Sequence, residues 1–284
     1  MKKGLILEGG AMRGMFTAGV IDVMMENGIK FDGAIGVSAG AAFGCNYKSG
    51  QIGRVIRYNT RFVRDKRYCG LPVLLKEGNI YSAEFCYVVV PRDHDVFDFD
   101  AYEANPMEFF VVATDIESGK PVYHKLVDRN DHGFEWIRAS ASMPLLSTNV
   151  VIDGQTMLDG GISDSIPLQY FESMGYGKNI VVLTQKKGYK KKKFEFMPLL
   201  KMRYGKKYPK MVETMANEHI NYNDTLDYIA QKEARGEILA IYPEVDLPVA
   251  LVERDPEKLR AAYEIGRETA LRRLDEIKKY LNHA

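Results

Sequence analysis

The stretch "AIGVSAGAAFG", from Ala34 to Gly44, places Ser38 between Gly36 and Gly40. A serine hydroxyl attacks a carbonyl carbon when a neighbouring base accepts its proton. Glycines two positions before and two positions after a serine are typical of the sharp strand-to-helix turn that exposes a nucleophile. An ordinary tight turn fits the same five residues, so this pattern alone does not identify a catalytic serine.

A second glycine-rich stretch, "GGAMRG", follows a short apolar run near the start of the chain. It opens a predicted helix, so its backbone N–H groups are expected to point at an anion such as a reaction oxyanion. A nucleotide phosphate is the alternative anion, but the spacing lacks the full dinucleotide motif and no Lys-Ser or Lys-Thr pair follows. The candidate residues are Gly9, Gly10, Ala11, Met12, Arg13 and Gly14.

No histidine is a convincing base for Ser38. In a Ser-His-Asp hydrolase of this type the acid and then the histidine follow the serine, and only His219 and His283 come after Asp159. His283 is one residue from the chain end, and His219 lies in the polar stretch "NEHINYND", which is typical of a solvated side chain. The remaining histidines also lie in polar stretches and are expected at the surface: His94, His124 and His132.

The stretch "MLDGGISDSIP", residues 157–167, offers a carboxylate instead. Asp159 ends a predicted strand, and Gly160 and Gly161 after it permit a close approach to another loop. A simple turn is the alternative interpretation of this pattern.

The elements that must position these residues alternate between strand and helix. We predict strands at residues 4–8 and directly before Ser38, each followed by a helix, which favours a parallel sheet with helices on both faces. Two hairpins are predicted, turning at Ser118-Gly119 and at Asp153-Gly154, and the second delivers Asp159 to the end of a strand. The last strand of this unit spans residues 179–185. The acidic stretch "PRDHDVFDFD" is interpreted as a solvated loop rather than a calcium loop.

Together the three motifs resemble those of the patatin-like phospholipase family. In that family a glycine-rich loop supplies the oxyanion hole, a G-x-S-x-G turn supplies the nucleophile, and an Asp-Gly-Gly or Asp-Gly-Ala motif supplies the aspartate of a Ser-Asp dyad. Their order here matches, as does the linking stretch "RASASMPLLSTNVVIDGQTMLDGG", and the resemblance spans about residues 3–176. It also accounts for the missing histidine.

The resemblance implies an α/β fold and hydrolysis of phospholipids or other acyl esters without a metal or cofactor. Ser38 is then the nucleophile and Asp159 the proton acceptor, while Gly36, Gly40, Gly160 and Gly161 support the motifs. Ala11 replaces a glycine common in the family, and its N–H stays available if its φ is negative. Arg13 is a candidate to neutralise a phospholipid phosphate; a solvated arginine at a helix start is the alternative. A short-chain esterase or thioesterase, and a lipid-binding module without turnover, remain rival functions.

Composition sets the remaining bounds. The chain has 284 residues, 46% of them hydrophobic, and a formal net charge of +1, which is ordinary for a globular protein and gives no reason to expect nucleic-acid binding. The start lacks the apolar run of a signal peptide, and three cysteines without metal-ligand spacing suggest reduced thiols. We therefore expect a cytoplasmic protein with a catalytic domain at residues 1–185 and a mainly helical C-terminal region at residues 186–284.

The C-terminal region begins with a strongly basic segment, residues 186–210, in which eleven lysines and arginines face one acidic residue, Glu195. Its interleaved apolar residues suggest an interfacial segment that contacts anionic lipid on the inner face of a membrane. A solvated, mobile loop is the alternative. Beyond the segment we predict a helix at residues 210–234, the strand "EILAIY", and a final helix with Asp255 as its N-cap and Pro256 at its first position.

Overall fold

A computed structural model of the protein describes residues 1–127 and 131–282. Eight strands within these residues form one sheet, in the spatial order β5-β6-β3-β2-β1-β7-β8, with β4 paired to β3 beside this path. They are β1 (Lys3–Leu7), β2 (Gly33–Val37), β3 (Glu108–Asp115), β4 (Lys120–Lys125), β5 (Val150–Ile152), β6 (Gln155–Asp159), β7 (Lys178–Val182) and β8 (Ile238–Ile241). Strands β1, β2, β3, β7 and β8 pair in parallel, and the two predicted hairpins supply the antiparallel pairs.

Helices cover both faces of the sheet, as predicted for the α/β class. They are α1 (Gly14–Glu26), α2 (Ala39–Lys48), α3 (Arg54–Phe62), α4 (Leu71–Glu77), α5 (Phe99–Ala104), α6 (Asp131–Ser140), α7 (Leu168–Ser173), α8 (Met197–Tyr204), α9 (Pro209–Ala234), α10 (Pro256–Arg272) and α11 (Leu274–Asn282). Because strand side chains alternate, Leu5 and Leu7 pack into the layer of α1, α2, α6, α10 and α11, whereas Ile6 packs into the layer of α7 and α9.

The C-terminal region shares the hydrophobic core of the rest of the chain. Strand β8 pairs in parallel with β7 and forms one edge of the sheet. Ile241 of β8 and Ile277 of α11 belong to the same buried cluster as Leu7 of β1. The division predicted at residue 185 therefore separates two stretches of sequence that complete one sheet and its two helical layers.

The prediction of a solvated loop at residues 91–100 is wrong. Residues Phe85–His94 form a π-helical segment, and Pro91 and Phe97 are buried. Asp95 is also buried and forms an ion pair with Arg54 of α3. The acidic residues make this stretch look polar in the sequence, although its aromatic side chains pack against Phe134 near the start of α6. Across the described ranges, 1–127 and 131–282, no helix has the length and apolar character to cross a bilayer.

Candidate active site

Ser38 lies in a strained turn between β2 and α2. Its φ of 53° and ψ of −120° are unfavourable for a residue with a side chain. The turn is tight enough that a Cβ at Gly36 would lie 2.4 Å from the carbonyl oxygen of Gly40, and one at Gly40 would lie 2.3 Å from that of Leu7. The two flanking glycines thus allow α2 to start against the sheet, and the turn is the strand-to-helix elbow of the sequence motif.

Asp159 is the last residue of β6, which pairs antiparallel with β3, and its side chain contacts Ser38. The Ser38 hydroxyl donates a hydrogen bond of 2.8 Å to Oδ2 of Asp159, and the Gly161 N–H donates one of 2.8 Å to Oδ1. Burial raises the pKa of Asp159 to about 6, although the hydrogen bonds from Gly161 and Ser38 oppose that rise. A carboxylate with this pKa is a stronger base than an exposed aspartate and is still ionised at neutral pH.

Two hydroxyl side chains that the sequence analysis missed hold this pair in place. The Ser38 N–H donates to Oγ of Ser140 at 2.9 Å, and the Thr114 hydroxyl donates to the backbone oxygen of Asp159 at 2.8 Å. The Asp159 N–H donates to the backbone oxygen of Ser142. Ser140 and Ser142 belong to the stretch "RASAS" at the end of α6, and this stretch is the signal that could have identified Ser140.

The loop at residues 9–12 borders the serine at the end of β1. Ala11 and Met12 line the same cavity as Ser38, and a Cβ at Gly9 would lie 3.1 Å from Cβ of Ser38. In the part of the chain that the structure describes, the backbone N–H groups of Gly10, Ala11 and Met12 donate no hydrogen bond. Free N–H groups beside a nucleophile can stabilise an oxyanion.

Other residues of the predicted loop differ from expectation. The N–H groups of Arg13 and Gly14 already donate to Gly10 and Ala11 within the helical turn Ala11–Arg13, so they are not available to an anion. Arg13 does not line the cavity of Ser38; its charge instead acts on the carboxylate of Glu8. Ala11 has a φ of 46°, so the negative φ on which the availability of its N–H was made conditional is not found, although that N–H donates no hydrogen bond within the described residues. The loop carries backbone strain that a glycine would avoid.

A cavity that is partly open to solvent begins at Ser38. Its walls are mainly apolar and aromatic and also include the polar side chains of Arg54 and Asn59; the apolar and aromatic contributions come from Met12, Phe43, Tyr58, Tyr68, Tyr81, Tyr87, Val90, Ile137 and Met143. Walls of this mainly apolar character fit an apolar chain.

Two thiols also line this cavity, but they are poor rivals to Ser38. Burial raises the pKa of the Cys45 thiol to about 12 and also raises that of Cys86. Both thiols therefore stay protonated at neutral pH, whereas the thiolate is the reactive form of cysteine.

The histidines whose side chains the structure describes lie away from the serine. His94 packs against Phe62 and Phe85, and His124 stacks on Trp136. His219 is half-buried rather than solvated, and like the other two it does not line the cavity of Ser38. The side chain of His132 and the whole of His283 lie outside the described residues. Among the described residues, Asp159 is thus the titratable side chain that accepts a hydrogen bond from the Ser38 hydroxyl.

Two family models match the chain. The model of the patatin-like phospholipases matches residues 5–172, which include both glycine-rich motifs and Asp159. A domain of unknown function (DUF6363) matches residues 208–282, which include α9, β8, α10 and α11.

Similar proteins come from bacteria and fungi. Uncharacterized protein YjjU of Escherichia coli is 27% identical over 283 residues, which cover 93% of this chain and 74% of that protein. Lysophospholipase nte1 of Aspergillus fumigatus is 27% identical over 61% of this chain, and uncharacterized NTE family protein Rv1063c of Mycobacterium tuberculosis is 27% identical over 58%. The chain spans 11% of the fungal protein and 44% of the mycobacterial one. VipD from Legionella pneumophila superposes with a TM-score of 0.47 and 13% identity over 97% of this chain and 67% of that one.

Proposed function

This chain belongs to the patatin-like phospholipase family, and on that premise we propose that it is a serine hydrolase of lipid acyl esters in which Ser38 and Asp159 act as a catalytic dyad. The observation that supports this proposal most directly is the 2.8 Å hydrogen bond between the two side chains, at a strained elbow that opens into an apolar cavity. Strained backbone is concentrated at functional sites, where it holds a side chain in a reactive position.

The geometry supports acyl transfer in two steps. Asp159 accepts the Ser38 proton while Oγ attacks the ester carbonyl, and the N–H groups of residues 10–12 stabilise the oxyanion. The leaving alcohol takes the proton from Asp159, and the acyl group stays on Ser38. Water then donates a proton to Asp159 and attacks the acyl-enzyme, which releases the fatty acid and restores the serine.

We propose that the substrate is a lipid, of the phospholipase A or lysophospholipase type. The apolar cavity fits an acyl chain, and a fungal relative is named a lysophospholipase. Hydrolysis of esters of increasing acyl length tests this choice. Activity that rises with chain length supports a lipid substrate, activity that falls indicates a short-chain esterase or thioesterase, and no hydrolysis of any ester indicates a binding module.

A fluorophosphonate probe tests the nucleophile. It is expected to label the wild-type protein at Ser38 and to leave Ser38→Ala unlabelled, because the probe traps an activated serine. Labelling at another residue, or none in the folded wild type, would remove the basis of the assignment.

We further propose that the outer face of the basic segment contacts anionic lipid. Part of the predicted interfacial segment cannot contact lipid, because Met197, Leu200 and Tyr204 of α8 are buried inside the protein. Lys186, Lys187, Lys190 and Lys191 form ion pairs with Asp246, Glu233, Asp227 and Glu218.

What remains exposed is a narrower amphipathic surface. Phe196, Leu199 and Met202 recur every third residue and project from α8, with 58%, 44% and 76% of their surface exposed. Their basic neighbours are exposed and form no ion pair with another residue within 1–127 and 131–282: Lys192, Lys193, Lys201, Arg203, Lys206, Lys207 and Lys210. Apolar side chains framed by cations match the surface of an anionic bilayer.

One loop connects the packing of α8 with the cavity of the proposed active site. Leu145 packs against the cluster that contains Leu200, on the buried face of α8. Met143 of the same loop lines the cavity.

Co-sedimentation with anionic vesicles tests the contact. Replacing Lys192, Lys193 and Lys206 with glutamine is expected to weaken binding about 100-fold, because each lysine near an anionic surface contributes ~1 kcal/mol. The matched variant, with glutamine at Lys186, Lys187 and Lys190, should bind nearly as well as wild type because those side chains face acidic partners. Equal losses in the two variants, or no wild-type binding at low salt, would contradict the proposed surface.

A further inference from the structure

Glu8 is a second buried carboxylate, placed between β1 and the loop that borders Ser38. Its Oε2 accepts hydrogen bonds from the N–H and the hydroxyl of Thr184, which follows β7. Its Oε1 accepts a hydrogen bond from the hydroxyl of Tyr222, in the middle of α9. Only 2% of Glu8 is exposed, so this carboxylate depends on these partners rather than on water.

The same partners fix the backbone of the loop. The Thr184 hydroxyl lies 3.4 Å from the carbonyl oxygen of Gly9, and a Cβ at Gly10 would lie 2.6 Å from that hydroxyl. Gly9 in turn packs against Ser38. A movement of Glu8 would therefore displace the N–H groups of residues 10–12 relative to the serine.

Helix α9 also faces the other half of the site. Glu218, Asn221, Tyr222 and Thr225 line a small pocket together with residues 161–166, directly after Asp159. One helix of the C-terminal region thus borders both the oxyanion loop and the loop that carries the proposed base.

We infer that Tyr222 is a positioning residue that acts through Glu8 to hold the oxyanion loop at the serine. The inference rests on the proposed function of Ser38, and it gives the region matched by the domain of unknown function a part in catalysis. Tyr222 itself does not line the cavity of Ser38, so it has no contact with the acyl group there.

The test is a double-mutant cycle on ester hydrolysis by the full-length protein. Tyr222→Phe is expected to lower kcat about tenfold and to change KM less than twofold. The N–H groups of the loop stabilise the oxyanion that forms in the transition state, whereas they contribute little to binding of the ester itself. Glu8→Gln should lower kcat similarly, and adding Tyr222→Phe to it should cost less than a further twofold, because the two residues act in series.

Tyr228→Phe is the matched control. Tyr228 lies on the same helix and also donates to a carboxylate, that of Glu172, but neither of these two residues lines the cavity of Ser38 or belongs to the loop at residues 9–12. Its loss should leave kcat unchanged. Each rate is measured well below the unfolding temperature of the variant, so that a loss of stability does not enter the result.

Additive losses in the cycle, a change confined to KM, or an equal loss in Tyr228→Phe would overturn the inference. Fluorophosphonate labelling separates it from the proposed function. If Ser38 is not the nucleophile, the wild type itself is not labelled there. If only the inference fails, the wild type is still labelled at Ser38.

Discussion

Asp159 and Glu8 are two buried carboxylates in similar surroundings, and we propose different roles for them. Asp159 accepts one hydrogen bond from the Ser38 hydroxyl and one from the Gly161 N–H. Glu8 accepts hydrogen bonds from the hydroxyls of Tyr222 and Thr184 and from the Thr184 N–H. Burial raises the pKa of both. The difference lies in the hydroxyl, because Ser38 borders an apolar cavity whereas Tyr222 is enclosed between α9 and the sheet.

The comparison shows that a carboxylate and a hydroxyl become a catalytic pair only where a substrate can reach the oxygen. The tyrosine hydroxyl also resists ionisation, because burial and the charge of Glu8 raise its pKa. We therefore propose proton transfer at Asp159, whereas at Glu8 the proposed role of the same type of bond is to hold a loop in place.

The largest effect is expected from the reactive pair. Ser38→Ala should lower kcat by at least about 10⁴-fold, and Asp159→Asn should cost nearly as much, with little further loss in the double variant. His219→Ala should keep activity near that of wild type in the same ester assay. A large loss of activity in His219→Ala would indicate a catalytic triad instead of a dyad. Activity near wild type in Ser38→Ala would show that Ser38 is not the nucleophile.

The pH dependence distinguishes which carboxylate is the base. With a pKa of about 6 for Asp159, kcat/KM should fall about tenfold per pH unit below pH 6, because the protonated carboxyl cannot accept the Ser38 proton. Glu8→Gln should lower the rate but leave this limb of the profile in place. Disappearance of the limb in Glu8→Gln would transfer the role of base to Glu8.

A smaller effect concerns stability. The pKa of Asp159 is about 6 in the folded protein and about 3.8 in the unfolded chain. The contribution of Asp159 to the free energy of unfolding is therefore fully present below pH 3.8, where the carboxyl is protonated in both states, and it is lost as the pH rises through 6. Asp159→Asn, which abolishes activity, should therefore raise the free energy of unfolding by about 1–3 kcal/mol at pH 7. Denaturant titrations should show this gain growing between pH 4 and 6 and then levelling.

The exposed Asp227, paired with Lys190, provides the stability control. Asp227→Asn should change the free energy of unfolding by less than about 0.5 kcal/mol. A loss of stability in Asp159→Asn would mean that the contacts of the carboxylate stabilise the folded protein by more than its burial costs.

The smallest effect is expected at Ala11. A left-handed alanine costs about 1–2 kcal/mol, and glycine brings an entropic cost of about 0.5–1 kcal/mol, so Ala11→Gly should raise the free energy of unfolding by less than about 1 kcal/mol. Its N–H is retained, and kcat should change less than twofold. Ala18→Gly, in the interior of α1, should destabilise instead. A loss of stability in both variants would show that the Ala11 backbone is not strained.

Much of the fold was accessible from local patterns. The two hairpins, the long helix α9 and the capped start of α10 lie where predicted, because turn glycines, helical periodicity and capping residues act within a few residues of each other. The stretch at residues 91–100 was misassigned for the opposite reason. Its exposed aspartates dominate the local pattern, while the burial of Phe97 depends on Phe134 from another element.

The sequence by itself determined the identities and order of Ser38, Asp159 and the glycine-rich loop, because a strained elbow and close backbone contacts restrict residue types over a few positions. Only the tertiary structure decided which N–H groups of the loop stay free and which apolar residues of the basic segment face outward. It alone also joined Glu8 to Tyr222, which are 214 residues apart in the chain. No local pattern encodes such a pair, because the contact exists only after β1, β7 and α9 pack together and exclude water from the carboxylate.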